Sequence, residues 1–310
     1  MAWLEITLNA PQGEVNSLVT ALTGLGFEDL CIEDQQEFET FLEENREYWD
    51  YIDESLSEKL QGLSRVKLYL EDTEEQRLSA LRRFAEDRSF PMTVDTLPDT
   101  NWEESWKDNY PPQEVGKTLV VLPYWLADTY ETDRKKVILD PGLTFGTGAH
   151  PSTQMVMETM EERVRPGDHC LDLGSGSGIL SITALRLGAE SAIGVDIDPK
   201  AEDIARENAG YNGFSSPEFT ALTGNVTEDK ALMDRLAQKE YDVVLVNIVA
   251  DVIIGLSPVL PEFLTEKTSL ILSGILDTRL PDVLAALQKA GLTVTGIREK
   301  EDWRCVTARK

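Results

Sequence analysis

One segment constrains this chain more than any other. From His169 to Leu180 it reads HCLDLGSGSGIL, an apolar strand that runs into three alternating glycines and then an apolar helix. Leu171 and Leu173 are strand residues, Gly174, Gly176 and Gly178 form the turn, and Ile179, Leu180 and Ile182 open a helical face. Glycine lets a ligand lie directly against the backbone, so such a junction is suited to holding a cofactor. A dinucleotide fingerprint needs its third glycine at position 179, which is Ile179, and no Gly-Lys-Ser/Thr ends the turn as a phosphate loop requires.

What remains is an acidic residue, Asp172, followed by Gly-x-Gly-x-Gly. This resembles the first motif of S-adenosylmethionine-dependent methyltransferases; the competing reading is a tight strand-to-helix turn without a ligand. A second element follows at a fitting distance. Ala192 to Val195 is a short apolar strand, and Asp196 stands at its end, 22 residues after Gly174. A carboxylate there can accept two ribose hydroxyls. Asp198, followed by Pro199, reads as a helix N-cap.

The third element concerns the acceptor. Tyr241 to Val246 (YDVVLV) reads as a buried strand ending in Asn247-Ile248-Val249-Ala250-Asp251. An amine attacks a methyl group through its lone pair, so acceptors that grip its N–H bonds set the attack geometry. Asn247, through its amide oxygen, and the Ile248 carbonyl fit that role; the alternative for Asn247 is a helix cap. Asp251 reads as a first-turn helix acid.

At 310 residues the expectation is two domains. No apolar run approaches the roughly 20 residues of a membrane span, and no signal peptide is expected. The cysteines, Cys31, Cys170 and Cys305, are isolated in strand-like segments, which predicts buried thiols in a cytoplasmic protein. With His150 and His169 the only histidines, no metal site is expected. The net charge of -27 is uneven: residues 1–125 hold 27 acidic side chains against 10 basic ones, and Glu28 to Glu58 holds 13 acids and one base, Arg46. Such a surface repels phosphate backbones and draws a lysine-rich protein, or it serves solubility alone.

Residues 1–98 read as β-α-β, an acidic insertion over Asp34 to Leu60, and β-α-β again, which suggests a ferredoxin-like split βαβ domain of the α+β class. The elements are Trp3 to Leu8, Glu14 to Leu25, Phe27 to Ile32, Arg65 to Leu70, Glu74 to Asp87 and Met92 to Leu97. Residues 99–127 read as an interdomain linker, with Trp102, Trp106 and Tyr110 on one helical face before Pro111 and Pro112. From 128 to 310 the pattern is α/β. Strand candidates begin at Val137, Cys170, Ala192, Glu218, Val243, Ser269, Thr293 and Cys305, the last two as an antiparallel hairpin, giving a doubly wound Rossmann-like sheet.

One further stretch narrows the reading. Asp140 to Thr153 (DPGLTFGTGAHPST), taken with LDLGSGSGIL, GVDIDP, VNIVAD, LSGIL and NWEESWKDNYPP, closely resembles the PrmA family of ribosomal protein L11 methyltransferases over essentially the whole chain. The resemblance implies an N-terminal substrate-recognition domain and a seven-stranded catalytic domain of the methyltransferase type. It also implies trimethylation of lysine side chains and of the N-terminal amine of L11, a basic protein, with S-adenosyl-L-methionine as donor. By motif match, Thr153, Gly174, Asp196 and Asn247 would contact the cofactor together with Asp172 and Gly176. Phe145, Gly146, Thr147, Gly148 and His150 would form a loop over its methionine end, and Asn225 would receive the adenine amino group, or else cap a turn. His150 is also a candidate general base, against an orienting hydrogen-bonder. The expected mechanism is in-line transfer in which Asn247 and Ile248 orient the amine and water removes the proton. A monomer that binds neither nucleic acid nor membrane is expected.

Overall fold

Alternating side chains decide how the N-terminal strands lie. In the first strand Ile6 and Leu8 are buried together, and in its neighbour Val66, Leu68 and Leu70 are buried on the same period of two. The computed structural model describes residues 3–11, 13–27, 29–44, 61–97, 107, 110–141 and 148–310, and the chain divides into two units, Met1–Asn109 and Tyr110–Lys310.

The first unit runs β1 (Trp3–Asn9), α1 (Val15–Gly24), β2 (Cys31–Asp34), α2 (Gln35–Glu44), β3 (Ser64–Glu71), α3 (Glu75–Arg88) and β4 (Met92–Leu97). Its sheet has the order β2-β3-β1-β4 with every neighbouring pair antiparallel. Val15, Leu18 and Leu22 of α1 and Leu81 and Ala85 of α3 share one core with Ile6, Leu8 and the β3 leucines, so both helices cover the same face. This is the expected split βαβ arrangement. The second strand begins later than expected. Gly26 (φ 86) closes α1, and the Phe27 N–H donates to the Leu22 carbonyl, so Phe27 ends the helix and fills the core instead of starting β2. Cys31 is exposed on edge strand β2, against the expectation of a buried thiol, whereas Cys170 and Cys305 are buried. Trp102, Trp106 and most of the acidic insertion lie outside the described residues.

The second unit begins within the stretch read as a linker. There β5 (Gln113–Val115) and β6 (Leu119–Pro123) pair with β7 (Lys135–Leu139) in a three-stranded sheet. Their apolar side chains join the core of the second unit, and this is why the segment is ordered as strand: Val115, Leu119, Val121, Val137 and Leu139 pack with helical methionines further along the chain. β7 therefore lies outside the main sheet.

The chain then runs α4 (Pro151–Arg163), β8 (His169–Leu173), α5 (Ile179–Leu187), β9 (Ser191–Asp196), α6 (Pro199–Tyr211), β10 (Phe219–Thr223), α7 (Lys230–Ala237), β11 (Val243–Asn247), α8 (Ala250–Leu256), β12 (Ser269–Leu276), α9 (Leu280–Lys289), β13 (Thr293–Lys300) and β14 (Trp303–Arg309). The seven-stranded sheet has the order β10-β9-β8-β11-β12-β14-β13. All pairs from β10 to β12 are parallel, and β14 is antiparallel to both its neighbours, as the expected hairpin requires. Along β11, Val243 and Leu245 enter one core with α4, α5 and α6, while Val244 and Val246 enter another with α7, α8 and α9. Consecutive apolar residues are thus used on opposite faces, which explains why the strand reads as one unbroken hydrophobic run. Strand order reverses between β8 and β11, and the carboxyl ends of these two strands flank the crevice where doubly wound sheets bind ligands. Among the described residues no helix is long and apolar enough to cross a membrane, and no group of His, Cys, Asp or Glu could hold a metal ion.

Candidate active site

The glycine turn after β8 is shaped by backbone that an L side chain rarely adopts: Gly174, Gly176 and Gly178 have φ of 77, 49 and 78. The turn is anchored to the neighbouring strand, with the N–H groups of Gly174 and Ser175 both donating to the Val195 carbonyl at 2.8 and 3.1 Å. Asp196, at the end of β9, accepts the Gly176 N–H on one carboxylate oxygen at 2.8 Å and the Asp198 N–H on the other at 3.0 Å. Each oxygen keeps a further lone pair for a ligand. Asp198 has the structural task expected of it, accepting the Lys200 N–H as N-cap of α6.

Asp172 lies beneath this turn and is fully buried. One of its oxygens takes both the N–H and the hydroxyl of Ser181 at 3.1 and 2.8 Å, and the other has no partner among the described residues. Burial is the largest influence on this carboxyl and pushes its pKa up to about 7, while the Ser181 hydrogen bonds act in the opposite direction.

Across the crevice, Asn247 ends β11. Its amide N–H donates to the Thr153 hydroxyl at 3.1 Å, and this fixes the opposite amide edge, whose oxygen is buried and has no partner among the described residues. A buried acceptor left unpaired costs on the order of 1–3 kcal/mol, which makes this oxygen a candidate to receive a donor from a ligand. Asn247 is not the helix cap: α8 begins after Val249. Asp251 is a first-turn acid of that helix, and its carboxylate pairs with Arg279. The Ile248 N–H donates to the Ser273 carbonyl at 3.2 Å.

Two expectations take a different form. His150 is the N-cap of α4; its Nδ1 accepts the Ser152 N–H at 3.3 Å and lies 2.7 Å from the Ser152 hydroxyl, and its ring meets Trp303 edge-on at 4.5 Å. Burial lowers its pKa, with Glu301 opposing. With Nδ1 engaged in this way, His150 caps α4 and so helps hold Thr153 in place. Asn225 uses its amide oxygen within its own turn, accepting both the N–H and the hydroxyl of Thr227 at 3.0 and 2.7 Å. The atom that would receive an adenine amino group is therefore already occupied, and the capping alternative holds. Gly148 (φ 86) is buried where a Cβ would meet Val121 and Ile179, seating the end of its loop on the core. Phe145, Gly146 and Thr147 lie outside the described residues.

Sequence reasoning missed Asn208. Buried on α6, it donates to the Ser177 carbonyl at 2.8 Å and accepts the Asp140 N–H at 2.9 Å, tying the glycine turn to the residue that follows β7. The signal was present: Asn208 falls on the helix face that carries Ala201 and Ala205, where a polar residue needs a partner.

Asp172, Asp196 and Asn247 thus lie at the carboxyl ends of β8, β9 and β11, with Thr153 bonded to the last of them. Comparison with known proteins bears on the chain as a whole. The family model for ribosomal protein L11 methyltransferase (PrmA) matches residues 2–310. A protein of that name from Heliobacterium modesticaldum is 34% identical over 319 residues, covering 100% of this chain and 98% of its own length. Its counterpart from Lachnoclostridium phytofermentans is 33% identical over 334 residues, covering 100% and 99%. The crystal structure of ribosomal protein L11 methylase from Lactobacillus delbrueckii subsp. bulgaricus superposes with a TM-score of 0.58 at 29% identity, over 65% of this chain and 99% of that one. With a match running its full length, the chain belongs to the ribosomal protein L11 methyltransferase family.

Proposed function

We propose that this protein transfers methyl groups from S-adenosylmethionine to amine nitrogens of ribosomal protein L11, both lysine side chains and the N-terminal amine, in the cytoplasm. The observation that carries the reading is the Asn247 amide oxygen, buried, without a partner among the described residues, and held in one orientation by Thr153.

The residues present fit the donor. Asp196 offers its remaining lone pairs to ribose hydroxyls, and the unpaired Asp172 oxygen matches the α-ammonium. When bound, S-adenosylmethionine supplies a methyl group on a positively charged sulfur, an electrophile that needs no metal or acid to activate it. The chain's task is then to present a neutral amine in line with that methyl. A lysine of pKa about 10.4 is neutral in about one part per thousand at about pH 7.4, a penalty of about 4 kcal/mol, and an amine of pKa about 7.7 loses less than about 1 kcal/mol. Desolvation in the crevice supplies part of that shift. Asn247 would accept an N–H of the amine and so aim its lone pair, Asp196 and Asp172 would hold the donor, and the proton of the methylated amine would leave to water. Alignment carries the rate, with no covalent intermediate on the enzyme.

The acidic N-terminal unit supports a basic protein substrate, because surfaces of opposite sign attract over about a Debye length. The test is mass spectrometry of L11 after incubation with the protein and S-adenosylmethionine. Methyl increments on L11 amines are expected, and an unmodified L11 under conditions of saturating cofactor binding would refute the proposal.

A further inference from the structure

The sequence singles out Gly274 within LSGIL without giving it a task. The residue has φ 82, and a Cβ there would overlap the Ile248 carbonyl oxygen and lie 2.8 Å from its carbon and 3.1 Å from its nitrogen. Backbone, not a yielding side chain, fills that space. On the other side of Ile248, Gly174 leaves room for the side chain: a Cβ at 174 would overlap the Ile248 Cγ2 methyl. Both glycines have positive φ, and both face the one residue that follows Asn247 in the chain.

The strand carrying Gly274 is deformed at the same point. β12 follows β11 in parallel register up to Asn247 opposite Ser273. On its other edge, its pairing with β14 shifts between Leu272 and Ile275, a bulge centred on Ser273 and Gly274. The Ser273 hydroxyl donates to the Arg304 carbonyl at 3.2 Å, which ties the bulge to β14, and the Ser273 carbonyl receives the Ile248 N–H. A bulge re-aims what lies beside it.

We infer that Gly274, seated in the β12 bulge and opposed by Gly174, is a positioning residue for methyl transfer, fixing the Ile248 peptide and through it the Asn247 acceptor. The inference rests on the reading of Asn247 given above. Asn247 is therefore held at two points: its side chain by Thr153, and its following peptide by the absence of a Cβ at 274. Widening that gap by an ångström moves the acceptor off the line of attack. A misplacement of about 1 Å costs on the order of 10²-fold in rate.

The experiment measures kcat on L11, cofactor dissociation constant and thermal unfolding for Gly274→Ala, Ser273→Ala, Asn247→Ala and Gly291→Ala. Gly291 has φ 79 but open space where its Cβ would fall, so its variant reports backbone strain alone. Gly274→Ala is expected to lose kcat on the order of 10²-fold while cofactor affinity stays within about 3-fold, and Gly291→Ala to keep both. Ile248→Ala removes the methyl facing Gly174 but leaves the carbonyl facing Gly274, so it should not restore Gly274→Ala. Should Gly274→Ala fail to fold, Ser273→Ala, which frees the bulge without adding an atom, is expected to lower kcat at unchanged cofactor affinity. Turnover in Gly274→Ala equal to that of Gly291→Ala, rescue by Ile248→Ala, or a fall in cofactor affinity that matches the fall in kcat overturns the inference; so does wild-type turnover in Ser273→Ala. Unchanged turnover in Asn247→Ala refutes the underlying reading instead, so the two failures are distinct.

Discussion

Asp172 makes the cofactor-free protein less stable as pH rises, and Asp172→Asn should remove that dependence. Burial raises this carboxyl from 3.8 to about 7. A folded state that holds its proton more tightly than the unfolded chain is favoured at low pH, so the destabilisation is absent below about pH 4, grows through the window up to about pH 7, and is constant above it. The gap of about three pKa units, at 1.36 kcal/mol each, amounts to about 4 kcal/mol when complete. At pH 5 the accrued part is between about 1 and 2 kcal/mol, so the stability of Asp172→Asn relative to wild type should improve by about 2 to 3 kcal/mol between pH 5 and pH 8. Urea unfolding at the two pH values, without cofactor, measures this directly; each variant is compared with wild type at the same pH, which cancels every other titrating group. Calorimetry adds an independent reading. If the α-ammonium is seated beside Asp172, binding of S-adenosylmethionine at about pH 6 should expel close to one proton from wild type and none from Asp172→Asn. Identical pH dependence in the two proteins would refute the reasoning, and a pH-dependent difference without proton release would keep the buried acid but reject it as the ammonium's seat.

Two further outcomes are expected. His150→Ala should cost about 1 kcal/mol of stability through loss of the α4 cap, with the shape of the pH–rate profile unchanged; loss of an ionisation from that profile would restore His150 as a base. A fragment starting at Tyr110 retains β5 and β6, whose side chains belong to the catalytic core. It should bind cofactor with near-native affinity and lose most activity on L11, whereas full activity would show the acidic unit to be irrelevant to recognition.

The elements that sequence located correctly are those with local causes. Glycine spacing and the flanking leucines mark the turn after β8, Asp198-Pro199 marks a helix start, and consecutive valines mark β11, because turn chemistry and side-chain period act over a few residues. The miss at Phe27 has the same origin read in reverse. A hydrophobic residue after Leu25-Gly26 suits either a strand or the end of a helix closure, and only the Leu22 hydrogen bond decides between them. In sequence, residues 113–123 read as a connection, although they pair as strands, because short apolar runs carry no mark of the sheet they will join.

From its own letters, then, this chain determined its two-part layout, a doubly wound sheet, the crevice-forming turn and the acidic and amide side chains at the strand ends. Tertiary structure alone decided what those side chains do. Thr153 orients Asn247 across 94 residues, Ser181 and burial set the proton affinity of Asp172, and Gly274 backs Ile248. The physical reason is range. Period and turn preference are properties of neighbours in sequence, whereas the partner of a polar atom depends on which strands lie side by side, in which register, and how deeply they are buried.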